Sequence, residues 1–288
     1  MLNACDPMPD EDREIRLQQE VSALAGLGFE ASLSVPGALC RRPRREGDVS
    51  TVSADVLKDL APTGTLRVAI NLGNIVLAQG TPDAPRGVTP ELARELGRRL
   101  GVPVALVGFD AAGKAFEALK ARTVDVIFLA IEPVRAAEIE FTPPYVLIEG
   151  VYMVPRGSAL KTPADVDKPG IRIGVNKASA YDLYLTRTLR HATLVRSEDG
   201  ATTFVRDGLD AAGGVKQALM KFAAAHPDVR LIEERFMEIR QAMGVPKGRL
   251  AGAAYLTTFI EEMKASGFVA DALRRSGQGD AAVAPPAG

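Results

Sequence analysis

Asp125-Val-Ile-Phe-Leu-Ala-Ile-Glu-Pro-Val-Arg135-Ala-Ala-Glu-Ile-Glu-Phe-Thr-Pro-Pro-Tyr145 is the stretch that decides the fold. Val126 to Ile131 is a continuous apolar run of strand length, the pattern of a strand buried on both faces in a parallel sheet. Glu132-Pro133 breaks it. Pro is at home in the first turn of a helix, where its missing N–H is no loss. The sequence therefore predicts a strand ending near Ile131 and a short helix from Pro133, at the carboxyl end of the strand, where open α/β sheets bind ligands. A helix start attracts anions. Arg135 sits in that first turn, and its planar fork can hold a carboxylate through two hydrogen bonds. The other reading of Arg135 is a surface ion pair with Glu132 or Glu138, each three residues away.

Composition narrows the classes. The chain has 288 residues, 47% hydrophobic and 25% charged, as in ordinary globular proteins. A net charge of −1 gives no footprint for nucleic acid or an acidic membrane surface. No apolar run reaches the length of about 18 residues needed to span a bilayer. Cys5 and Cys40 are the only cysteines, without the ligand pattern of a zinc site; a disulfide between them stays open. His191 and His226 stand in polar surroundings and read as surface residues. No P-loop, Gly-x-Ser-x-Gly elbow or His-Glu-x-x-His occurs. Neither a cofactor nor a metal is expected.

Outward from the opening stretch, the pattern alternates strand and helix. Gly64 to Ile70 reads as a first strand and Val102 to Gly108 as a second. Between them Gly87 to Gly101 reads as a helix, with Thr89 as N-cap, Pro90 at N1, Gly101 as the stop and Leu92, Leu96 and Leu100 on the buried face. Ala111 to Arg122 is the next helix, and this order argues for an α/β lobe. Beyond Tyr145 the segment Val146–Val154 is apolar. Lys161 to Asp167 reads as a short helix, Ile171–Val175 as a strand, Asn176 to Tyr181 as a turn into a helix, and Leu256–Gly267 as an amphipathic helix. The last twelve residues, from Gly277, are rich in Gly, Ala and Pro and read as a loose tail.

Asp-Val-Ile, the strand, Pro133, Arg135 and then Phe141-Thr-Pro-Pro-Tyr145 resemble the bacterial extracellular solute-binding proteins of family 3, the amino-acid-type receptors of ABC importers. Lys161–Asp167, Asn176–Tyr181, Asp210–Gln217 and Gln241–Gly248 resemble later elements of that family, in the same order, and the resemblance covers about Gly64 to Ser276. It implies a two-lobed α/β, periplasmic-binding-protein-like fold with a hinge and a cleft. Lobe 1 would be 64–148 plus 244–276 and lobe 2 would be 149–243, with residues 1–59 outside the family pattern. It implies a receptor, not an enzyme: a monomer that captures a small carboxylate-bearing solute, an amino acid or organic acid, and delivers it to a membrane permease.

By resemblance Arg135 binds the ligand carboxylate, and Ser179, in the turn with Lys177, donates to it from the other lobe. The family's glycine in that turn is Ala178 here. Asn71 and Asn74 follow the first strand and are polar candidates, or serve only their turn; the family's stacking aromatic there is replaced by Ile75-Val-Leu77. Ala130 and Glu132 complete the candidate set on lobe 1. Many relatives carry an Asp that pairs with an α-ammonium just after the Asp-Ala strand, where this chain has Gly214-Val215-Lys216. Lys216 facing the cleft would favour dicarboxylates or other organic acids over neutral amino acids, whereas Glu132 could restore an ammonium site. Two rival functions remain: a dehydratase on the same fold, with Glu132 or Glu149 as general acid, and a ligand-sensing signalling module.

The family implies export to the periplasm. The first residues lack the order of a signal peptide, although Leu2-Asn-Ala-Cys5 resembles a lipoprotein cleavage box without its hydrophobic region. Either translation begins elsewhere or the protein is not exported. Residues up to about Ser53, including a helix at Glu14–Leu27 and the basic cluster Arg41–Arg45, are expected to lie outside the fold.

Overall fold

The computed structural model describes residues 52–288. The expectations for Cys5 and Cys40, the helix at Glu14–Leu27 and the basic cluster lie outside the described residues.

The expected first strand forms as β1 (Leu66–Asn71). A short hairpin follows, β2 (Gln79–Thr81) with β3 (Ala84–Arg86). Helix α2 (Val88–Leu100) comes next, preceded by α1 (Ala54–Leu60) at the head of the described chain. β4 (Val104–Phe109), α3 (Ala112–Lys120) and β5 (Val126–Ala130) complete the first set. β4 and β5 pair in parallel with the two edges of β1. All five residues of β5 are buried, as a continuous apolar run requires. Helix α4 spans only Pro133–Ala136.

The chain then runs through β6 (Ile139–Pro155), 17 residues long. Phe141–Tyr145 is part of this strand. Its two prolines cannot donate to a ladder. The Thr142 hydroxyl takes over locally: it accepts from the Met243 N–H at 3.2 Å and donates to Pro143 O at 2.8 Å.

Beyond β6 the alternation resumes. A capping box at Thr162 and Asp165 opens α5 (Pro163–Val166). β7 (Arg172–Asn176), α6 (Ala180–Thr188), β8 (Thr193–Ser197), α7 (Gly200–Arg206) and β9 (Ala211–Val215) follow. β7 is parallel to β8 and β9. After α8 (Lys216–Ala225) and β10 (Val229–Leu231), β11 (Met237–Pro246) returns antiparallel to both β6 and β5. The sheet order is β4-β1-β5-β11-β6-β9-β7-β8. Two parallel α/β lobes are thus joined by two long antiparallel strands, the geometry of a hinge. Helices α9 (Leu250–Ala265) and α10 (Phe268–Arg275) close the first lobe.

Buried charge fixes the first lobe from within. Asp125 is fully buried and binds Arg67 through Nε and Nη2, both at 2.8 Å, and Arg249 Nη1 at 3.2 Å. Arg249 also donates to the Asp59 carbonyl at 2.6 Å. One carboxylate therefore ties together β1, β5, the start of α9 and α1. Helix α1, the short helix that leads into the domain, packs on α9 with Val56 and Leu60 buried.

Two local expectations change. Thr89 is not the N-cap of α2: the helix starts two residues earlier, at Val88 rather than Pro90, Gly87 stands at the N-cap, and the buried Thr89 hydroxyl donates to Leu77 O at 3.3 Å. The tail from Gly277 is not loose. Ala282 and Val283 form β12, antiparallel to β6 at Leu147 and Val146, and Ala284 N–H donates to Tyr145 O at 3.0 Å. The buried Lys264 amine holds Pro285 O at 2.8 Å. Small side chains let this segment lie flat on the strand. Truncation after Gly277 is therefore expected to lower the thermal midpoint and the urea midpoint together; unchanged midpoints would mean that the docked tail contributes nothing.

Candidate functional site

A chamber of about 70 Å³ lies where the two lobes meet. The first lobe supplies Asn71, Gly73 and Asn74 after β1, Asp110 to Ala112 after β4, Leu129 and Ala130 at the end of β5, and Arg135. From the second lobe come Asn176, Lys177, Ser179, Ala180 and Tyr181 after β7, Glu198 after β8 and Val215 after β9; Ile239 and Gln241 project from the hinge strand β11. Nearly all lie at carboxyl ends of parallel strands, where such sheets bind ligands.

Arg135 is the centre of the arrangement. It is 2% exposed, and its guanidinium is spent on carbonyls: Nη1 donates to Ala130 O at 3.2 Å and Nη2 to Ala178 O at 2.9 Å. The second bond crosses the cleft. Burial pulls the pKa of Arg135 down to about 10, partly opposed by the negative charge of Glu132, so it remains a cation at neutral pH. Among the described residues it has no ion pair. Neither surface pairing offered by the sequence occurs, and α4, with four residues, is too short to add much of a dipole.

The facing turn is shaped by Asp182. Its carboxylate accepts from Ala178 N–H at 2.8 Å and from Arg196 Nε at 2.8 Å, while Ser179 Oγ caps α6 by accepting from Asp182 N–H at 3.1 Å. Ser179 thus fills the N-cap role and lines the chamber as well. Ala178 adopts φ +57°, a left-handed backbone that disfavours side chains by about 1–2 kcal/mol. Its Cβ faces Gly113 of the first lobe, where an added Cβ would stand 2.9 Å away. The lobes approach this closely because Gly113 lacks a side chain.

The two asparagines serve their turn: Asn71 Oδ1 accepts from Gly73 N–H and Asn74 Oδ1 from Val76 N–H. Both also line the chamber, and neither side-chain amide nitrogen has a partner among the described residues. Lys177 and Glu198 line it with side chains that form no ion pair among the described residues. Asp110 does pair, with Lys114 at 2.7 Å, which holds it below the usual carboxylate range.

Six candidates from the sequence therefore come together: Arg135, Ala130, Asn71, Asn74, Lys177 and Ser179. Two do not. Glu132 is buried against Arg187 of the second lobe, with Oε2 2.6 Å from Nη1, an ion pair without an aligned hydrogen bond. Lys216 opens α8 and binds Glu149 at 2.5 Å on the wall of a separate cavity behind the hinge. Glu132 and Glu149, the carboxylates considered as general acids, are thus both engaged by cations outside the chamber. Asp110, Tyr181, Glu198, Val215, Ile239 and Gln241 line it without having been singled out; Glu198 and Tyr181 sit at strand or turn ends, which is the one signal that marks them.

Residues 68–277 match the model of the bacterial extracellular solute-binding proteins, family 3. No curated protein sequence matches. Among solved structures, the chain is similar to a mutant of ArgBP from T. maritima, at 21% identity and TM-score 0.66 over 77% of this chain and 99% of that one. The cysteine-binding protein from Campylobacter jejuni shows 20% identity and TM-score 0.65 over 76% and 92%. An ancestral amino-acid-binding protein, a precursor of cyclohexadienyl dehydratase, shows 19% identity and TM-score 0.65 over 76% and 97%. At these identities the likeness is one of fold.

The Glu132–Arg187 pair makes closure testable. Removing Arg187 leaves a buried carboxylate unpaired in the closed form, which costs more than the about 1–3 kcal/mol of a neutral polar group, and opening the cleft would hydrate it. Arg187→Ala is expected to raise the radius of gyration of the ligand-free protein in small-angle X-ray scattering; an unchanged profile would show that the pair does not hold the lobes.

Proposed function

Because the chain belongs to the bacterial extracellular solute-binding proteins, family 3, we propose that it is the substrate-binding protein of an ABC importer, capturing a small carboxylate-bearing solute between its lobes. The observation that carries this reading is Arg135: a buried guanidinium, facing a chamber, hydrogen-bonded to carbonyls and in no ion pair among the described residues, with the charge of Glu132 only partly offsetting its burial. A buried charge without a counter-charge is expensive. A ligand carboxylate would supply that counter-charge, and the amide groups of Asn71 and Asn74, Lys177 and the Ser179 turn are placed to complete its hydrogen bonds. The closed, ligand-bound protein would present its two lobes to a membrane permease in one fixed relation. In line with the family, the site of action is the periplasm or the cell exterior. No helix among the described residues is long and apolar enough to cross a membrane.

Binding rather than catalysis is favoured by the chamber itself. Both carboxylates proposed as general acids are neutralised elsewhere, Glu132 by Arg187 and Glu149 by Lys216. The ligand class is an organic acid before a neutral amino acid. The buried Gly213 and Gly214 provide no carboxylate for an α-ammonium at the end of β9, and Glu132 is committed to Arg187. Lys216 lends no support to this preference, since it stands away from the chamber. Of the acids that line it, Asp110 is already paired with Lys114; Glu198 is the one group that could hold an ammonium.

Calorimetric titration with matched organic acids and neutral amino acids is expected to show the acids binding more tightly, with Arg135→Ala weakening them by about 2–5 kcal/mol. A neutral amino acid binding tightly while organic acids stay silent would overturn the preference. Carboxylate binding indifferent to Arg135→Ala would overturn the assignment of the anchor.

A further inference from the structure

The chamber at Arg135 is too small for most solutes. At about 70 Å³ it has room for about two waters, the size of a carboxylate with its first carbon. A second cavity of about 630 Å³ lies on the other side of the Arg135–Ala178 bridge, between the same two lobes. The two share Ala111, Arg135, Lys177 and Glu198 as walls. The outer cavity is mostly apolar on its inner surface. α3 contributes Gly113 and Phe116, α4 contributes Val134, and α6 contributes Leu183. Val134 is 55% exposed, next to a fully buried arginine. Five charged residues, Lys114, Glu117, Arg135, Lys177 and Glu198, join these apolar side chains in its lining.

Resting on the carboxylate reading above, we propose that the natural solute is an amphipathic carboxylic acid: its head occupies the inner chamber at Arg135 and an apolar tail of several carbons lies in the outer cavity against Phe116, Val134 and Leu183. Three observations converge on it. The inner chamber, as it stands between the closed lobes, has room for little more than a head group. The outer cavity is of the size that holds small molecules, about 300–1,000 Å³. Both lobes line it, so it is complete only in the closed form, which suits a solute enclosed by closure better than a macromolecule docked on a standing surface. The bridge between compartments is a single hydrogen bond from Arg135 to a carbonyl, which a carboxylate oxygen can replace. The left-handed Ala178 at that bridge gives the turn a backbone tension that a small shift would relieve.

The test is a homologous series of unbranched carboxylates from acetate to decanoate, titrated by calorimetry into the full chain. Affinity is expected to rise about fourfold per added methylene between butyrate and octanoate, the equivalent of about 0.8 kcal/mol per buried CH₂. The exposed-site variant Val134→Asn and the milder Leu183→Ala should flatten that rise while leaving acetate affinity unchanged, and Arg135→Ala should abolish binding of every member. Affinity independent of chain length, with acetate still bound through Arg135, would overturn the tail assignment and leave the carboxylate anchor standing. Octanoate bound equally by Arg135→Ala would place the tail elsewhere on the surface and overturn it too. Absence of binding by any member would overturn both the anchor and the tail.

Discussion

A guanidinium buried without an ion pair among the described residues governs this structure. Taking a cation out of water costs several kcal/mol even after the protein relaxes, and carbonyl dipoles repay only part of it. Arg135 is held in that condition by one carbonyl from each lobe. The arrangement makes sense as a site that waits for an anion. The same carbonyls that keep the charge tolerable in the closed form are those a carboxylate would displace, so a ligand would gain what the protein gives up.

The fold exists to bring these atoms to one place. Buried parallel strands end at the cleft from both sides, and two long antiparallel strands, β6 and β11, let the halves meet there. Closure depends on short-range fit: Gly113 leaves space for the Ala178 methyl, and Glu132 finds Arg187 across the cleft. Ala178 is a compromise of a different kind. The turn wants a left-handed residue, which glycine adopts freely, and an alanine there trades backbone ease for a methyl group that touches the opposite lobe.

How much of this was legible in the sequence depended on the range of the interaction. The apolar run Val126–Ile131, the proline after it and Arg135 lie within ten residues of each other, and their pattern announced the strand, the short helix and an arginine at the cleft. The Ser179 cap and the Gly101 stop were local as well. Glu132 and Lys216 carried the right charges in the right segments, but their partners, Arg187 and Glu149, are 55 and 67 residues away in sequence, and no local pattern announces such a pair. Thr89 looked like a cap because its neighbours fit one; its hydroxyl was claimed instead by a carbonyl from the preceding loop. The tail looked loose because Gly, Ala and Pro form no core, yet smallness is what lets it lie along β6. Asp110 and Glu198 were hard to single out as site residues because the only local mark on either is its place just after a strand.

The most direct test of the central claim reads Arg135 itself. With arginine side chains labelled with ¹⁵N, and Arg135→Lys used to assign the signal, acetate is titrated against sodium chloride at equal ionic strength. The account predicts a saturable shift of the Arg135 Nε–H resonance with acetate alone, at the same concentration at which calorimetry detects binding. An Arg135 signal that stays in place while acetate binds would contradict it.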